Sequence, residues 1–345
     1  MKFRKKIIII IGFILTVFVI GFIYFTYFIP PTFQGTEKIT LDIPKGSRLK
    51  DIALELKRAG VIRSDKLFIL FVLFKGDKSR LKAGEYEFAS GDSLNQIIEK
   101  IVKGDVVVHR ITIPEGFTIN EIAELLERNG VMSKGAFLEK AHSSEFAKEL
   151  LGDPSLPDLE GYLFPDSYLY KKGITPEEFI RTMVAKFKEV YGPLRAKSEG
   201  LNLTDHDIVI LASIIEKETG NVSERPLVSA VFHNRLRLGM RLESDPTVIY
   251  GIGNFDGNLT KKDLRTETKY NTYKIFGLPP GPISNPGKDS LEAALNPAKV
   301  DYLYFVSRGD GTHEFSSNYR DHRRAVAEYQ GRGILQYAPT GKKHQ

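Results

Sequence analysis

The first feature of the hydrophobic pattern is a long uncharged run close to the N-terminus. Residues 7–29 contain no charged side chain and follow the basic stretch MKFRKK. As an α-helix this run spans roughly 30 Å, enough for the hydrocarbon core of a bilayer. Its aromatic end and the lack of a small-residue cleavage site favour an anchor over a cleaved signal. We expect a single transmembrane helix over residues 7–29 in the cell membrane, with residues 1–6 cytoplasmic and the remainder extracytoplasmic.

A second pattern recurs within residues 36–142. The segment DIPKGSRLKDIALELKRAGVI, which begins at Asp42, aligns with TIPEGFTINEIAELLERNGVM, which begins at Thr112, and SGDSLNQIIEKIVKG is a fainter copy between them. Each copy predicts a strand, a glycine turn and a capped amphipathic helix. The phrase GDSL resembles the opening of LysM modules, which bind N-acetylglucosamine polymers. A LysM-like glycan-binding region and a generic αβ spacer are both compatible with this repeat.

Residues 155–335 show longer helical periods mixed with turns. TPEEFIRTMVAKFKEVYG and SERPLVSAVFHNRLRLG predict helices, and YLYFVSRGDGTHEF predicts a hairpin. MRLESDPTVIYGIG predicts an extended segment with a turn at Asp-Pro, and GLPPGPISNPGKDS a long loop. Because no βαβ rhythm is present, we expect an α+β fold: one transmembrane helix, a LysM-like αβ repeat region and a mixed α+β catalytic domain. Residues 336–345 form a polar tail.

One predicted helix carries an acid in apolar surroundings. DIVILASIIEKETG, from Asp207 to Gly220, follows the capping pair Thr204 and Asp207 and has no polar face. Glu216 projects from the same stripe as the apolar residues four and eight positions before it. Burial would raise the pKa of its carboxyl, as a general acid requires. The alternative is an ion pair with an arginine or a frayed helix end.

Composition narrows the chemistry. The 345 residues carry a net charge of +6 without basic clusters interleaved with aromatics, so nucleic acid is not an expected partner. There is no cysteine, which excludes disulfides and thiol catalysis. The histidines are scattered and no phosphate-binding or serine-nucleophile motif occurs, so we expect neither a metal nor a cofactor.

Carboxylate chemistry on a sugar remains. Side chains suited to binding a sugar occur in the predicted loops, and we expect substrate contacts from Glu160, Asn234, Asp245, Tyr250, Tyr270, Asn271 and Tyr273. Glycosidases usually need two carboxylates. Only one is needed when the substrate supplies its own nucleophile, such as the C6 hydroxyl of a muramic acid residue. Glu216 would then protonate the leaving oxygen and afterwards accept the hydroxyl proton.

Seven motifs, in this order, resemble the endolytic murein transglycosylase family, also called YceG-like or MltG. They are IIEKETG, SERPLVSAVFHNRL, LESDPTVIYG, YNTY, GLPPGPISNPG, SLEAALNP and YLYFVSRGDGTHEF. The resemblance implies that Glu216 is catalytic and that MurNAc–GlcNAc β-1,4 bonds of nascent peptidoglycan strands are cleaved to 1,6-anhydro-MurNAc ends, which terminates elongation. It also implies peptidoglycan synthases as partners. Glu243 departs from the family, in which glutamine is common at that position.

Two alternatives remain open from the sequence. The first is a hydrolytic muramidase that uses Glu216 with a second carboxylate, Asp245 or Glu243. The second is a non-catalytic cell-wall-binding scaffold in which the repeats bind glycan and Glu216 is structural. In all three cases the expected partners are peptidoglycan glycan strands, and membrane lipid through residues 7–29.

Overall fold

Helices with three two-stranded sheets make up the structure, a computed structural model that describes residues 2–28, 38–197, 200–253 and 255–330. The mixed α+β fold predicted from the sequence is confirmed. The chain divides into two compact units. The first contains the described residues up to Arg110 together with Leu169–Gly173. The second contains Ile111–Tyr168 and the described residues from Ile174 onward.

The first unit is built on a small antiparallel sheet covered by helices. Its elements are α1 (Lys2–Phe28), β1 (Ile39–Ile43), α2 (Leu49–Arg58), α3 (Asp65–Lys75), β2 (Gly84–Phe88) and α4 (Leu94–Lys103). β1 pairs with β2 so that Ile39 lies opposite Phe88. The buried core of the unit comes from both strands and from α2, α3 and α4, and includes Leu56, Phe68, Tyr86 and Ile98.

The chain passes from the first unit to the second within another sheet, formed by β3 (Val108–Thr112) and β4 (Ser167–Lys171). The other elements of the second unit are α5 (Ile119–Arg128), α6 (Lys134–Ala141), α7 (Ser144–Leu151), α8 (Pro176–Lys197), α9 (Asp205–Glu218), α10 (Arg225–Arg237), α11 (Asp245–Ile252), α12 (Lys288–Leu295), β5 (Tyr304–Ser307), β6 (His313–Ser316) and α13 (Tyr319–Tyr329). β5 and β6 form the predicted antiparallel hairpin, against which α13 packs.

Helix α9 is the centre of the second unit. The predicted capping box is present: Thr204 Oγ1 accepts from the Asp207 N–H at 3.1 Å, and Asp207 Oδ2 accepts from the Thr204 N–H at 2.9 Å. Every residue from Ile208 to Ile215 is buried, and the helix packs against α10, α11 and α12. Each buried aliphatic side chain contributes about 1.5–3 kcal/mol to folding. The last turn, which carries Glu216, is therefore held firmly in place.

The repeat forms the elements that its pattern predicts, including capping boxes at Ser93 and Thr118 and left-handed glycines after the helices. The segment predicted as extended is different, because residues Asp245–Ile252 form α11. Here the Asp-Pro pair begins a helix rather than a turn. Proline lacks an N–H and has a fixed φ, both of which suit the first helical turn. The buried side chain of Val248 then anchors the helix.

The predicted domain limits differ from the two compact units. Helix α5, from the last copy of the repeat, belongs to the second unit, whereas the sequence placed it in a region ending at 142. Within the described ranges, no helix combines the length and sustained hydropathy that crossing a bilayer requires. The transmembrane and LysM-like assignments stay predictions. Several predicted segments extend outside the described residues: residue 1, residue 29, residues 36–37 at the start of the repeat region, residues 331–335 of the predicted 155–335 domain, and the tail 336–345.

We predict that Gly161→Ala destabilises the second unit by about 2–4 kcal/mol, because both strain and overlap result. Gly161 has φ +89°, and a Cβ there would lie 2.5 Å from Pro282 Cγ and 2.7 Å from Val209 Cγ1. Gly152→Ala is the matched control, with φ +78° and no atom within 4 Å of the added carbon. Urea denaturation should show a clearly smaller loss for the control. Equal losses would contradict the close packing at Gly161.

Candidate functional site

Glu216 forms a buried ion pair with Arg225. Arg225 Nη2, from the first residue of α10, donates to Glu216 Oε1 at 3.0 Å. The two side chains are only 6% and 5% exposed. The arginine contact that the sequence left as an alternative is therefore present, but it lies in the interior and not on an outer surface. A guanidinium and a carboxylate at this distance form a charge-assisted hydrogen bond, which is stronger than one between neutral groups.

The second oxygen of Glu216 is also occupied. The backbone N–H of Gly287 donates to Glu216 Oε2 at 3.0 Å. Gly287 is the N-cap residue of α12, where the unpaired N–H groups and the helix dipole favour a negative charge. Glu216 itself is in the last turn of α9, where the dipole disfavours one. The α12 terminus and Arg225 offset that effect.

Two more carboxylates surround the same guanidinium. Glu115 Oε2 lies 3.5 Å from Arg225 Nη2, and Asp289 Oδ2 lies 4.0 Å from Nη1. Both side chains are about half exposed, at 49% and 47%. Burial raises the pKa of Glu115, the negative charge of Glu216 raises it further, and Arg225 opposes both effects. Three acids thus share one buried cation.

The turn that carries Glu115 is fixed against the site by backbone hydrogen bonds. The Gly116 N–H donates to the Asn285 carbonyl at 2.9 Å, and the Asn285 N–H donates to the Phe117 carbonyl at 2.8 Å. Lys217 Nζ donates to the Gly116 carbonyl at 3.2 Å. The last copy of the repeat, α9 and the loop before α12 therefore form one rigid group.

Glu160, a predicted substrate contact, is buried beside this group. Its oxygens accept from the Ile119 N–H at 3.1 and 3.2 Å, from Asn285 Nδ2 at 2.9 Å and from the Tyr250 hydroxyl at 3.3 Å. Burial raises the pKa of Glu160 to about 8, against the opposing effect of the Ile119 N–H. Tyr250 packs on Tyr270 with 4.8 Å between ring centroids. The contacts of Glu160 thus join the start of α5 to the loop before α12.

Other predicted substrate contacts form a second buried acidic group. The Tyr273 hydroxyl donates to Asp245 Oδ1 at 2.7 Å, and the Ser244 hydroxyl donates to Glu218 Oε1 at 2.5 Å. Burial raises the pKa of Asp245, and it raises that of Glu218 to about 7. As helix geometry predicts, Glu216 and Glu218 point to different partners. Glu243, by contrast, contacts Arg235, with 3.2 Å between Oε2 and Nη1.

The two predicted asparagines hold backbone. Asn234 Nδ2 donates to the carbonyls of Val300 and Tyr302 at 2.8 and 3.0 Å. Asn271 is fully buried, and its Nδ2 donates to the carbonyls of Leu264 and Thr266 at 3.2 and 2.6 Å. The structure thus places none of the predicted substrate contacts in the ion-pair group around Arg225. Their role in binding sugar stays a prediction.

Sequence reasoning missed Glu115, Arg225, Gly287 and Asp289. Glu115 lies in the glycine turn of a repeat copy, and Arg225 lies at the start of a predicted helix. The signals were present in the motifs TIPEGF, SERPL and SNPGKD, since each places a charged or small residue at an element boundary. The sequence alone did not show that these boundaries meet around Glu216.

Comparison with known proteins identifies the chain. The YceG-like family model matches residues 41–328, which include Glu115, Glu216, Arg225 and Gly287. The chain belongs to the YceG-like family. The resemblance predicted from the seven motifs is therefore confirmed.

Relatives and a solved structure agree with membership of the YceG-like family. An endolytic murein transglycosylase of Bacillus subtilis (strain 168) is 34% identical over 307 residues, covering 84% of either protein. One of Streptococcus pneumoniae is 30% identical over 331 residues, which are 87% of this chain and 60% of that protein. The crystal structure of a putative YceG-like protein from Listeria monocytogenes is 36% identical, with a TM-score of 0.56 over 84% of this chain and 99% of that one.

We predict that Glu160 makes stability fall as the pH rises. Its pKa is about 8 in the folded chain and near 4.5 when unfolded, so the folded state binds the extra proton between these values. Its contribution is fully present below about pH 4.5 and is lost as the pH rises through 8. Glu160→Gln, which cannot ionise, should flatten the decrease in unfolding free energy over this range. Chemical denaturation at a series of pH values measures the slope, and an unchanged slope would contradict the assignment.

Proposed function

We propose that this chain is a lytic transglycosylase that cleaves peptidoglycan glycan strands internally at MurNAc–GlcNAc β-1,4 bonds, with Glu216 as its catalytic carboxylate. Two relatives are named as endolytic murein transglycosylases, which supports the reaction. The observation that supports the residue is its environment: Glu216 is a buried carboxylate fixed at both oxygens, with the half-exposed Glu115 beside it.

The chemistry follows from one internal nucleophile. The C6 hydroxyl of the MurNAc residue attacks its own anomeric carbon while the bond to the GlcNAc oxygen breaks. Overall, one proton passes from the C6 hydroxyl to the leaving oxygen, and Glu216 is the carboxylate that accepts it from the hydroxyl. No water is consumed, and the MurNAc end becomes a 1,6-anhydro ring. Because nucleophile and anomeric carbon share one residue, their effective molarity is high.

A hydrolytic muramidase is the alternative within enzymes. Such a hydrolase would use Asp245 or Glu243 as its second carboxylate. Neither contacts Arg225: Asp245 accepts a hydrogen bond from Tyr273, and Glu243 forms an ion pair with Arg235. A hydrolase would leave reducing ends that are one water heavier than anhydro ends. Product masses therefore separate the two reactions.

We predict that Glu216→Gln lowers strand cleavage by about 10²–10⁴-fold, the usual loss when a proton-transferring group is removed. Mass spectrometry of digested strands should show anhydro ends with the natural chain and almost no new ends with the variant. Glu292→Gln, an exposed position on α12, is the control and should cleave normally. A scaffold without activity would give no new ends with any of the three proteins.

We also propose that residues 7–29 anchor the protein in the cell membrane, with the second unit outside the cytoplasm. The run is uncharged, α1 extends over Lys2–Phe28, and apolar side chains such as Ile8, Phe13 and Phe18 are 67–70% exposed. The LysM-like repeat would add contacts to the glycan strand. Peptidoglycan synthases would be the partners beside which strand elongation is terminated.

The anchor predicts how the protein fractionates. Full-length protein should sediment with membranes and resist extraction by high salt, because apolar burial and not surface charge would hold it. Deletion of residues 2–29 should release the protein into the soluble fraction. Release of the full-length chain by salt alone would argue against a spanning helix.

A further inference from the structure

The contacts of Glu216 raise the question of which group donates the proton to the leaving glycosidic oxygen. A single-glutamate cycle requires Glu216 to begin protonated, as the sequence analysis expected. In the structure both of its oxygens accept strong donors, the Arg225 guanidinium and the Gly287 N–H. Because each oxygen already accepts from a donor, the geometry suits Glu216 as the acceptor of the hydroxyl proton. A second group beside it is then needed to protonate the leaving oxygen.

We propose that Glu115 is a second catalytic residue, which donates the proton to the leaving glycosidic oxygen while Glu216 accepts the proton of the C6 hydroxyl. This inference rests on the proposed lytic function and divides its two proton transfers between two carboxyl groups.

Geometry supports the pairing. Glu115 Oε2 and Glu216 Oε1 contact the same atom, Arg225 Nη2, at 3.5 and 3.0 Å, so the two carboxyl groups lie against one guanidinium nitrogen. Glu216 is almost fully buried, whereas Glu115 is half exposed and can reach a ligand oxygen. The shared contact keeps the two carboxyl groups close enough to act on one glycosidic linkage, as paired carboxyl groups do in glycosidases.

Arg225 provides a second, independent observation. Its Nε and Nη1 atoms are buried and have no hydrogen-bond partner within the described ranges. Buried donors are nearly always paired in folded proteins, and a catalytic role is one explanation for an exception. The unused donors belong to the residue that both carboxyl groups share.

The placement of Glu115 is specific to its copy of the repeat. When the first and last copies are aligned, Pro44 and Gly46 match Pro114 and Gly116, but Lys45 replaces Glu115. The turn therefore forms without an acid at this position. Gly287 leaves space for the carboxyl group, since a Cβ there would overlap Glu115 Oε1.

The proton balance closes without another reactant. The bond from the anomeric carbon to the leaving oxygen breaks, and that oxygen takes the Glu115 proton. The C6 oxygen bonds to the anomeric carbon and gives its proton to Glu216. After each turnover one proton returns from Glu216 to Glu115, directly or through solvent, and no water is incorporated.

The charges around Glu115 set the direction of its pH dependence. The charged groups that act on it are Glu216 of α9, Arg225 of α10 and Asp289 of α12. Lys217 of α9 binds the carbonyl of the neighbouring Gly116. Burial is the main cause that raises the pKa of Glu115 above its ordinary value, and the negative charge of Glu216 raises this pKa further. Activity should fall as the pH rises through this pKa, because the donor loses its proton.

The test compares two leaving groups with the full-length protein in detergent. One substrate is a purified glycan strand, whose leaving oxygen needs a proton. The other is a muramic acid glycoside with a dinitrophenolate leaving group, which does not. Glu115→Gln should slow strand cleavage by about 10²–10³-fold and remove the alkaline limb of its pH profile. On the activated glycoside, the cleavage rate of this variant should stay within about tenfold of that of the natural chain. Glu216→Gln should be slow on both.

Two further variants separate catalysis from structure. Gly287→Ala should slow strand cleavage in the same way as Glu115→Gln but to a smaller extent. The added carbon would displace the Glu115 carboxyl group. The backbone itself accommodates alanine, because φ of Gly287 is −77°. Glu292→Gln, at an exposed position on α12 outside the ion-pair group, should keep the ratio of the two rates found in the natural chain. Cleavage of the activated glycoside by Glu115→Gln also shows that this variant is folded.

The outcomes that overturn the inference differ from those that overturn the function. If Glu115→Gln retains the natural rate on strands with its alkaline limb, or is slowed equally on both substrates, Glu115 is not the donor. Anhydro products would still support the lytic function in either case. If the natural chain yields only reducing ends, the proposed function itself fails.

Discussion

The ion pair between Glu216 and Arg225 is the contact on which the site depends. Removing two charges from water costs several kcal/mol per ion, which only good geometry and further hydrogen bonds offset. Both conditions hold, since the pair is 3.0 Å long and the α12 terminus supplies another donor. Glu224, next to Arg225, accepts from the backbone and side chain of His313 on β6. The position of one guanidinium thus connects α9, α10, α12 and the hairpin.

A raised pKa alone does not identify the reacting acid in this fold. Burial raises the pKa values of Glu160 and Glu218 to about 8 and about 7, yet both carboxyl groups bond inward to the protein. Glu115 combines an upward shift with an exposed side chain and a charged partner. Access for a ligand distinguishes it from the two buried acids. Buried acids that are fully hydrogen-bonded are better explained as parts of the structure.

Much of the local structure could be predicted from the sequence, because capping boxes, glycine stops and apolar periods act over a few residues. The α9 cap at Thr204, the repeat helices and the β5–β6 hairpin are examples. The segment that forms α11 was predicted to be extended, and this prediction was wrong. An Asp-Pro pair is compatible both with a turn and with the first turn of a helix. Glu216 could be selected by its apolar helix. Its partners could not, since Glu115 and Gly287 lie far from it along the chain, one before α9 and the other after it.

The turn of the last repeat copy has a consequence for how this protein can be divided. Glu115 and Gly116 precede the region from 155 onward that the sequence marks as catalytic, yet they form one wall of the ion-pair group. A fragment starting at residue 155 would lack that wall and would expose a cation without one of its acids. The last copy of the repeat is therefore not a detachable accessory. Any minimal version of this protein, and any chimera built from a relative, must keep the turn and the α9 helix from the same parent.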